Sequence, residues 1–149
     1  MSLAADYAGI MNVLVNDSTL KTLMNIATAD KTNYKVLLDE YFLQTHTSDV
    51  FTNDGICRIC LRNDLQRDTT NDYVKFNGVI LEMYIPKTID YMTAFQTRTN
   101  QITDRLIVLF NNEYINENKL KFHSSNELAS SQKFFKRQYC KFEYKKIYR

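Results

Sequence analysis

The sequence has no tryptophan and little glycine, proline, cysteine or histidine: its 149 residues include three Gly, one Pro, three Cys and two His. A phosphate-binding loop needs several closely spaced glycines, which the separated Gly9, Gly55 and Gly78 do not provide. No run of about eighteen apolar residues occurs, and no basic segment precedes an apolar one at the start. We therefore expect neither a secretory signal nor a membrane partner.

The cysteines are too few and odd in number for a disulfide framework, which favours a reducing compartment. Cys57 and Cys60 have the C-x-x-C spacing of zinc and redox sites. They lie in an alternating apolar run that predicts a strand, where residues three apart point to opposite faces. Two thiolates so placed cannot hold one ion. We expect small buried side chains here, with zinc or redox chemistry as the lesser alternative.

The other candidate metal-binding and catalytic residues also lack a complete sequence motif. Asp64, Asp68 and Asp72 are evenly spaced acids, but they lack the glycine and terminal glutamate of a calcium loop, so a solvated loop is the better interpretation. Neither His46 nor His123 has a flanking catalytic or metal-binding motif. We therefore expect no enzymatic activity, no metal and no cofactor.

Hydrophobic periodicity predicts the helices. Apolar residues recur at three- and four-residue intervals over residues 3–26, with a break at the capping residues 16–19, and again over residues 30–43. A long helix is predicted from Thr88 or Asp90 to about residue 112, with Tyr91 and Phe95 at the start of its apolar stripe.

Alternation predicts strands over residues 56–62, 75–85, 119–124 and 135–148. The resulting class is α+β: a small mixed or antiparallel sheet of about four strands, with one long helix packed on it and N-terminal helices. Because no linker or repeat interrupts the chain, residues 1–149 are expected to form one domain.

The predicted sheet has two apolar faces. In residues 75–85 the face toward the long helix carries Val79, Leu81, Met83 and Ile85. Phe76, Ile80 and Tyr84 alternate with them, and Arg58 and Arg62 are expected beside them on the neighbouring strand. This second face needs a cover, either the N-terminal helices or another subunit, so these five residues are candidate interface positions.

Charge is concentrated at the C-terminal end. Residues 133–149 hold seven basic residues and one acidic residue, a net +6, so the rest of this +2 chain carries −4. This basic end is either a solvated strand face or a surface that binds a polyanion or an acidic neighbour, for which Lys141, Lys145 and Lys146 are the candidate contacts. Since aromatic residues alternate with these basic ones, a nucleic-acid-binding module that uses this strand is the alternative.

Four segments together resemble the small tail-terminator and tail-completion proteins of long-tailed bacteriophages. They are "IMNVLVNDSTLKTLMNI", "NGVILEMYIPK", "DYMTAFQTRTNQITDRLIVLFNN" and the closing "LKFHSSNELAS" to "FKRQYCKFEYKKIY". In that family a helix leads into a mixed sheet, one long helix packs on it, and an aromatic, basic strand completes the sheet.

The resemblance implies a structural role in the virion. Proteins of that family form rings, commonly hexameric, that cap the tail tube at the head–tail interface, or neck, and face the head-side connector. The expected partners are therefore further copies of the chain, the tail tube protein and the connector, with non-specific contact to DNA in the lumen as a further expectation. The exposed loop at residues 63–72, with its acids, and the exposed loop at residues 111–118 would then contact the tube or connector.

Overall fold

A computed structural model of the protein describes residues 3–26, 41–43, 51–63, 67–68 and 74–147. Helices α1 (Leu3–Asn16) and α2 (Ser18–Leu23) open the chain. They are separated at Asp17, whose carboxylate accepts a 2.8 Å hydrogen bond from the Leu20 amide and so caps α2. The break predicted within residues 16–19 is confirmed.

The main sheet is mixed. Its order is β1 (Phe42–Leu43), β2 (Arg58–Asn63), β4 (Val74–Pro86), β8 (Phe135–Ile147) and β7 (Lys121–Leu128), and β3 (Arg67–Asp68) also pairs with β4. Among the described strands, β1 and β2 run parallel, while the other pairs of this sheet are antiparallel. The α+β class is confirmed, and the described residues form more strands than the four predicted.

Strands β4 and β8 are the longest described strands of the sheet. They pair over thirteen positions, from Val74 opposite Ile147 to Pro86 opposite Phe135. Alternating apolar residues run along both strands, so a shift of one residue would expose the core, which fixes the register. A short hairpin of β5 (Tyr114–Ile115) and β6 (Asn118–Lys119) lies outside this sheet.

The helix predicted over residues 30–43 is wrong at its end, because Phe42 and Leu43 are extended and pair with Ile59 and Cys60. Both side chains are buried, one in each of the two apolar clusters described below. Pairing with a distant strand therefore outweighs the local helical spacing. The rest of that predicted helix, residues 30–40, lies outside the described residues.

The long helix α3 (Arg98–Phe110) begins ten residues later than the earliest predicted start, Thr88. Thr97 is its N-cap, accepting a hydrogen bond from the Asn100 amide. Asp90 does contribute from outside the helix, because its carboxylate accepts a 2.9 Å bond from the Thr99 amide. Two side chains thus satisfy amides that the first turn leaves without helical partners.

Helix α3 covers one face of the sheet, which we call the inner face. Ile102, Leu106 and Phe110 pack there in a cluster that also contains residues of α1 and α2. The predicted inner residues of β4 all belong to it: Val79, Leu81, Met83 and Ile85. The predicted separation of the two faces of β4 is confirmed.

The opposite, outer face is covered in part by the chain itself. Leu43, Cys60, Tyr84 and Phe135 form a second buried cluster there, and the Phe51 ring lies 4.5 Å from that of Tyr84. The N-terminal helices, one of the two predicted covers, pack into the inner cluster instead. Among the helices of the described ranges, none has the length and apolar character needed to cross a membrane.

Candidate functional site

A buried carboxylate stands at the centre of the outer face. Glu82 accepts two hydrogen bonds from Arg137, at 2.7 and 3.2 Å, and one at 3.1 Å from the Tyr84 hydroxyl. Arg62 of β2 forms a 2.9 Å ion pair with the same carboxylate. One acid therefore joins three neighbouring strands, and the cluster keeps a net positive charge.

The ionisation of this cluster follows from those contacts. Burial alone would raise the pKa of Glu82, but the Arg137 hydrogen bonds and the Arg62 charge outweigh it and hold that pKa below its ordinary value. Burial and the adjacent Glu82 charge raise the pKa of Tyr84 to about 12. The carboxylate is thus ionised and the phenol neutral at neutral pH, which suits a fixed structural network.

Arg58, a predicted interface residue, is instead part of the interior. Its guanidinium donates hydrogen bonds of 2.7 and 2.9 Å to Asp54, and its side chain has no exposed surface. The rings of Tyr41 and Phe135 lie 4.9 and 5.7 Å from its central carbon. The prediction that Arg58 meets another subunit is wrong, because its charge is neutralised and covered within the chain.

Tyr84 requires the same correction. It is 1% exposed, with Phe51 packed against its ring and Glu82 accepting from its hydroxyl. The alternation that places Tyr84 on the outer face is correct, but the expectation of a foreign subunit over it is wrong because Phe51 already occupies that position.

Three predicted interface residues do lie together. A groove of about 300 Å³ on the outer face brings Arg62, Ile80 and Lys141 into one site. Tyr139, His123, Ser124 and Leu128 complete its lining. Lys141 and His123 also face Glu143, at 3.7 and 3.8 Å. The site is a partly apolar depression with basic and aromatic walls, which we call the outer groove.

Lys145 does not line the outer groove but lies in a second cleft of about 500 Å³, beyond Glu143 and toward the C-terminal end of β8. Tyr114, Glu117, Lys119, Lys121, Glu143 and Tyr144 line it with Lys145, and we call it the end cleft. The Lys119 ammonium is 5.9 Å from the centroid of the Tyr114 ring. The end cleft therefore combines lysine, glutamate and tyrosine side chains, of which the lysines and tyrosines can contact another aromatic ring.

For the predicted interface residues Phe76, Asp68 and Lys146, the structure describes only the pairing of the backbone. In the ladder Phe76 lies opposite Lys145, while Lys75 lies opposite both Asp68 and Lys146. Asp64 and Asp72 lie outside the described residues.

The two cysteines of the C-x-x-C pair lie on opposite faces of the sheet, as predicted from the strand geometry. Cys57 packs in the inner cluster and Cys60 in the outer one. Burial raises the pKa of all three thiols, to about 11 for Cys60 and about 12 for Cys140. They are protonated thiols at neutral pH and weak nucleophiles. Within the described part of the chain, no group of three acidic, histidine or cysteine side chains is placed to bind a metal.

Comparison with known proteins identifies the family. The YomW family profile matches residues 16–145, which is most of the chain and includes the described sheet except the last two residues of β8. The chain belongs to the YomW family. A search of the curated proteins gave no match. The YomW match thus covers both the outer groove and the end cleft.

This YomW-family chain also has an exposed apolar surface before α3. Tyr91 and Phe95 were predicted to lie in the apolar stripe of a helix, which is wrong: with Met92 they are exposed in the segment that precedes α3. Thr97 was the available signal, because a threonine about one turn before the first buried apolar residue of a helix, here Ile102, is a good N-cap candidate.

Proposed function

We propose that this YomW-family protein is a structural component of a tailed-phage virion, a ring-forming tail-terminator or tail-completion protein at the head–tail interface. It would cap the tail tube and join it to the connector. The phage origin of the family supports this setting. The outer groove is the observation that carries the proposal, because it presents Ile80 between the charged Arg62 and Lys141 on rigid strands.

The chemistry of the outer groove suits a protein partner. Interfaces combine an apolar centre with a polar rim, and here Ile80 is the partly buried apolar element while Arg62 and Lys141 supply the rim. Because Glu82 fixes Arg62 and Glu143 lies near Lys141, both side chains are preorganised, so less conformational entropy is lost on binding. We assign this groove to contact with the tail tube or the connector.

The ring follows from heterologous association, in which different surfaces of neighbouring copies meet and a rotation closes the assembly. Lys141 and Lys145, both on β8, would also lie within reach of DNA if that strand faces the lumen. Such contacts would involve phosphates and carry no sequence information. The proposed function requires no cofactor.

The nucleic-acid-binding alternative receives less support from the same strand. Three of the aromatic residues that suggested base stacking, Phe135, Phe142 and Tyr144, are buried in the protein core. Arg137 is bound to Glu82, and Lys136 lies 3.4 Å from Asp90. The alternation of aromatic and basic residues in β8 is therefore that of a strand with one core face and one charged face.

Mass in solution and tube binding test the proposal. Light scattering over a range of concentrations, alone and with purified tail tubes, should detect a closed species of about six copies, the family's expected ring. Lys141→Ala should weaken tube binding and leave the ring intact, because Lys141 lines the outer groove. Lys133→Ala, the same change at an exposed lysine outside the groove, is the control. A chain that stays monomeric with and without tubes would refute the ring.

A further inference from the structure

The turn before α3 is held in an unfavourable backbone conformation. Ala94 and Phe95 both have positive φ, 51° and 67°. Thr93 and Gln96 close the turn with two backbone hydrogen bonds of 2.8 and 3.0 Å. A two-residue turn with two positive φ angles normally contains asparagine or glycine, so an alanine and a phenylalanine here are unusual. Conformations of this kind are concentrated at functional sites.

The turn and the two residues before it expose three large apolar side chains. Phe95 is 92% exposed, Met92 68% and Tyr91 61%. Three side chains of this size together present on the order of 400 Å² of surface. A patch of that area is typical of binding sites on soluble proteins. We call these three residues the knob.

The knob and the end cleft lie toward opposite ends of the sheet. The knob follows Pro86, which pairs with Phe135 at the start of β8, and Lys87 bonds to the backbone of Phe134. The end cleft includes Glu143 and Lys145, near the end of β8. Because a strand advances about 3.3 Å per residue, Phe135 and Glu143 are roughly 26 Å apart. Asp90, next to the knob in sequence, lies 3.4 Å from Lys136 at the start of β8, which places the knob away from the cleft of its own chain.

We propose that the knob of one copy docks in the end cleft of the next copy, with Phe95 against Tyr114 and the surrounding lysines. The cleft volume of about 500 Å³ has room for an aromatic side chain. Tyr114 is itself largely exposed, with Lys119 over its ring, and the exposed Lys121 side chain offers a cation to the face of the incoming ring. Because every copy carries both the aromatic knob and this cleft of tyrosines, lysines and the acids Glu117 and Glu143, a second copy is the occupant that we assign to it.

Contacts between opposite ends of a molecule are heterologous, so they build a ring when the rotation closes. The inference rests on the proposed function in taking the closed ring as its final assembly. The contact itself can be measured without a tail. In this arrangement the subunits associate through the two ends of the sheet, and the outer groove contacts the tail tube or the connector.

Photocrosslinking between differently labelled copies tests the contact. Phe95 is replaced by p-benzoylphenylalanine in the full chain, which is mixed with a nitrogen-15-labelled copy, irradiated and digested. Crosslinks should join residue 95 to residues 114–121 or 143–145 of the other copy. The same photoreactive residue at Val108, exposed on α3 outside the knob, should give none to those segments. Crosslinks confined to other segments, or none at concentrations where copies associate, would overturn the proposal.

Two substitutions give an independent readout. Phe95→Gly removes the ring and suits the positive φ, so the turn is retained, while Tyr114→Ala removes the exposed wall of the cleft. Each should weaken self-association by on the order of 30-fold, as expected for an aromatic anchor. Val108→Ala should leave association unchanged.

The possible failures are distinguishable. A ring that survives both Phe95→Gly and Tyr114→Ala would refute the knob contact and leave the proposed function standing. Crosslinks between knob and cleft in a protein that is absent from phage particles would establish the contact and refute the virion role. Sedimentation with phosphatidylglycerol vesicles that is lost in Phe95→Gly, without crosslinks, would assign the knob to a lipid surface and overturn the proposal.

Discussion

Asp54→Ala should lower the free energy of unfolding by about 3 kcal/mol, because it leaves a buried guanidinium without its carboxylate. The Arg58 side chain has no exposed surface, and Asp54 accepts hydrogen bonds from both of its terminal nitrogens. Urea unfolding followed by circular dichroism measures the change as a shift in midpoint with an unchanged slope.

The double variant Asp54→Ala, Arg58→Met is the control for this prediction. It removes the whole ion pair and puts an apolar side chain between Tyr41 and Phe135, so a large part of the lost stability should return. If Asp54→Ala alone is within about 0.5 kcal/mol of the unmodified protein, typical of exposed surface changes, then Arg58 is not buried as described.

Phe142→Ala should destabilise the protein by about 3–5 kcal/mol, the range for removing a buried aromatic ring. Phe142 lies on β8 with no exposed surface, and its ring centroid is 5.6 Å from that of Phe110 on α3. Its removal leaves a cavity between the sheet and the helix. Urea denaturation at equilibrium measures the loss.

Phe122→Ala provides the matched comparison, because the Phe122 ring touches the same Phe142 ring at 5.9 Å but is 36% exposed on β7. It should cost about 1 kcal/mol or less, since little cavity is created. Equal losses for the two variants would contradict the placement of Phe142 in the core. Unchanged stability with reduced oligonucleotide binding in Phe142→Ala would instead favour the nucleic-acid alternative.

The long strands were predictable because their alternation is local information. In β4 and β8 every second residue is apolar over much of the strand, and each strand has one face in the inner cluster. The capped break at Asp17 was predictable for the same reason, because the capping side chain and the amide it binds are only three residues apart.

The two errors in the helices have a common cause. Phe42 and Leu43 continue a helical spacing, yet they pair with β2, about seventeen residues away in sequence. Tyr91 and Phe95 also fit a helical stripe, but a hydrogen-bonded turn holds Phe95 outside α3. Local periodicity cannot distinguish a helix from a segment fixed by distant pairing or by a turn with its own hydrogen bonds.

The candidate site was predictable as a face of the sheet and not as a groove. Alternation placed Ile80 and Arg62 on the outer side, but their approach to Lys141 depends on the strand order β2-β4-β8. The same order brings Arg62 and Arg137 to opposite sides of Glu82. The burial of Arg58 likewise depends on its hydrogen bonds to Asp54. No spacing in the sequence indicates that these two side chains pair.

The position of the protein in the virion is the most direct test of the account. Antibodies raised against the chain and coupled to gold should label purified phage particles at the junction of head and tail, with no label along the tail or on the capsid. Particles of a deletion mutant supply the control for antibody specificity. Absence of the protein from particles in which the tail tube protein is readily detected would contradict the proposed function.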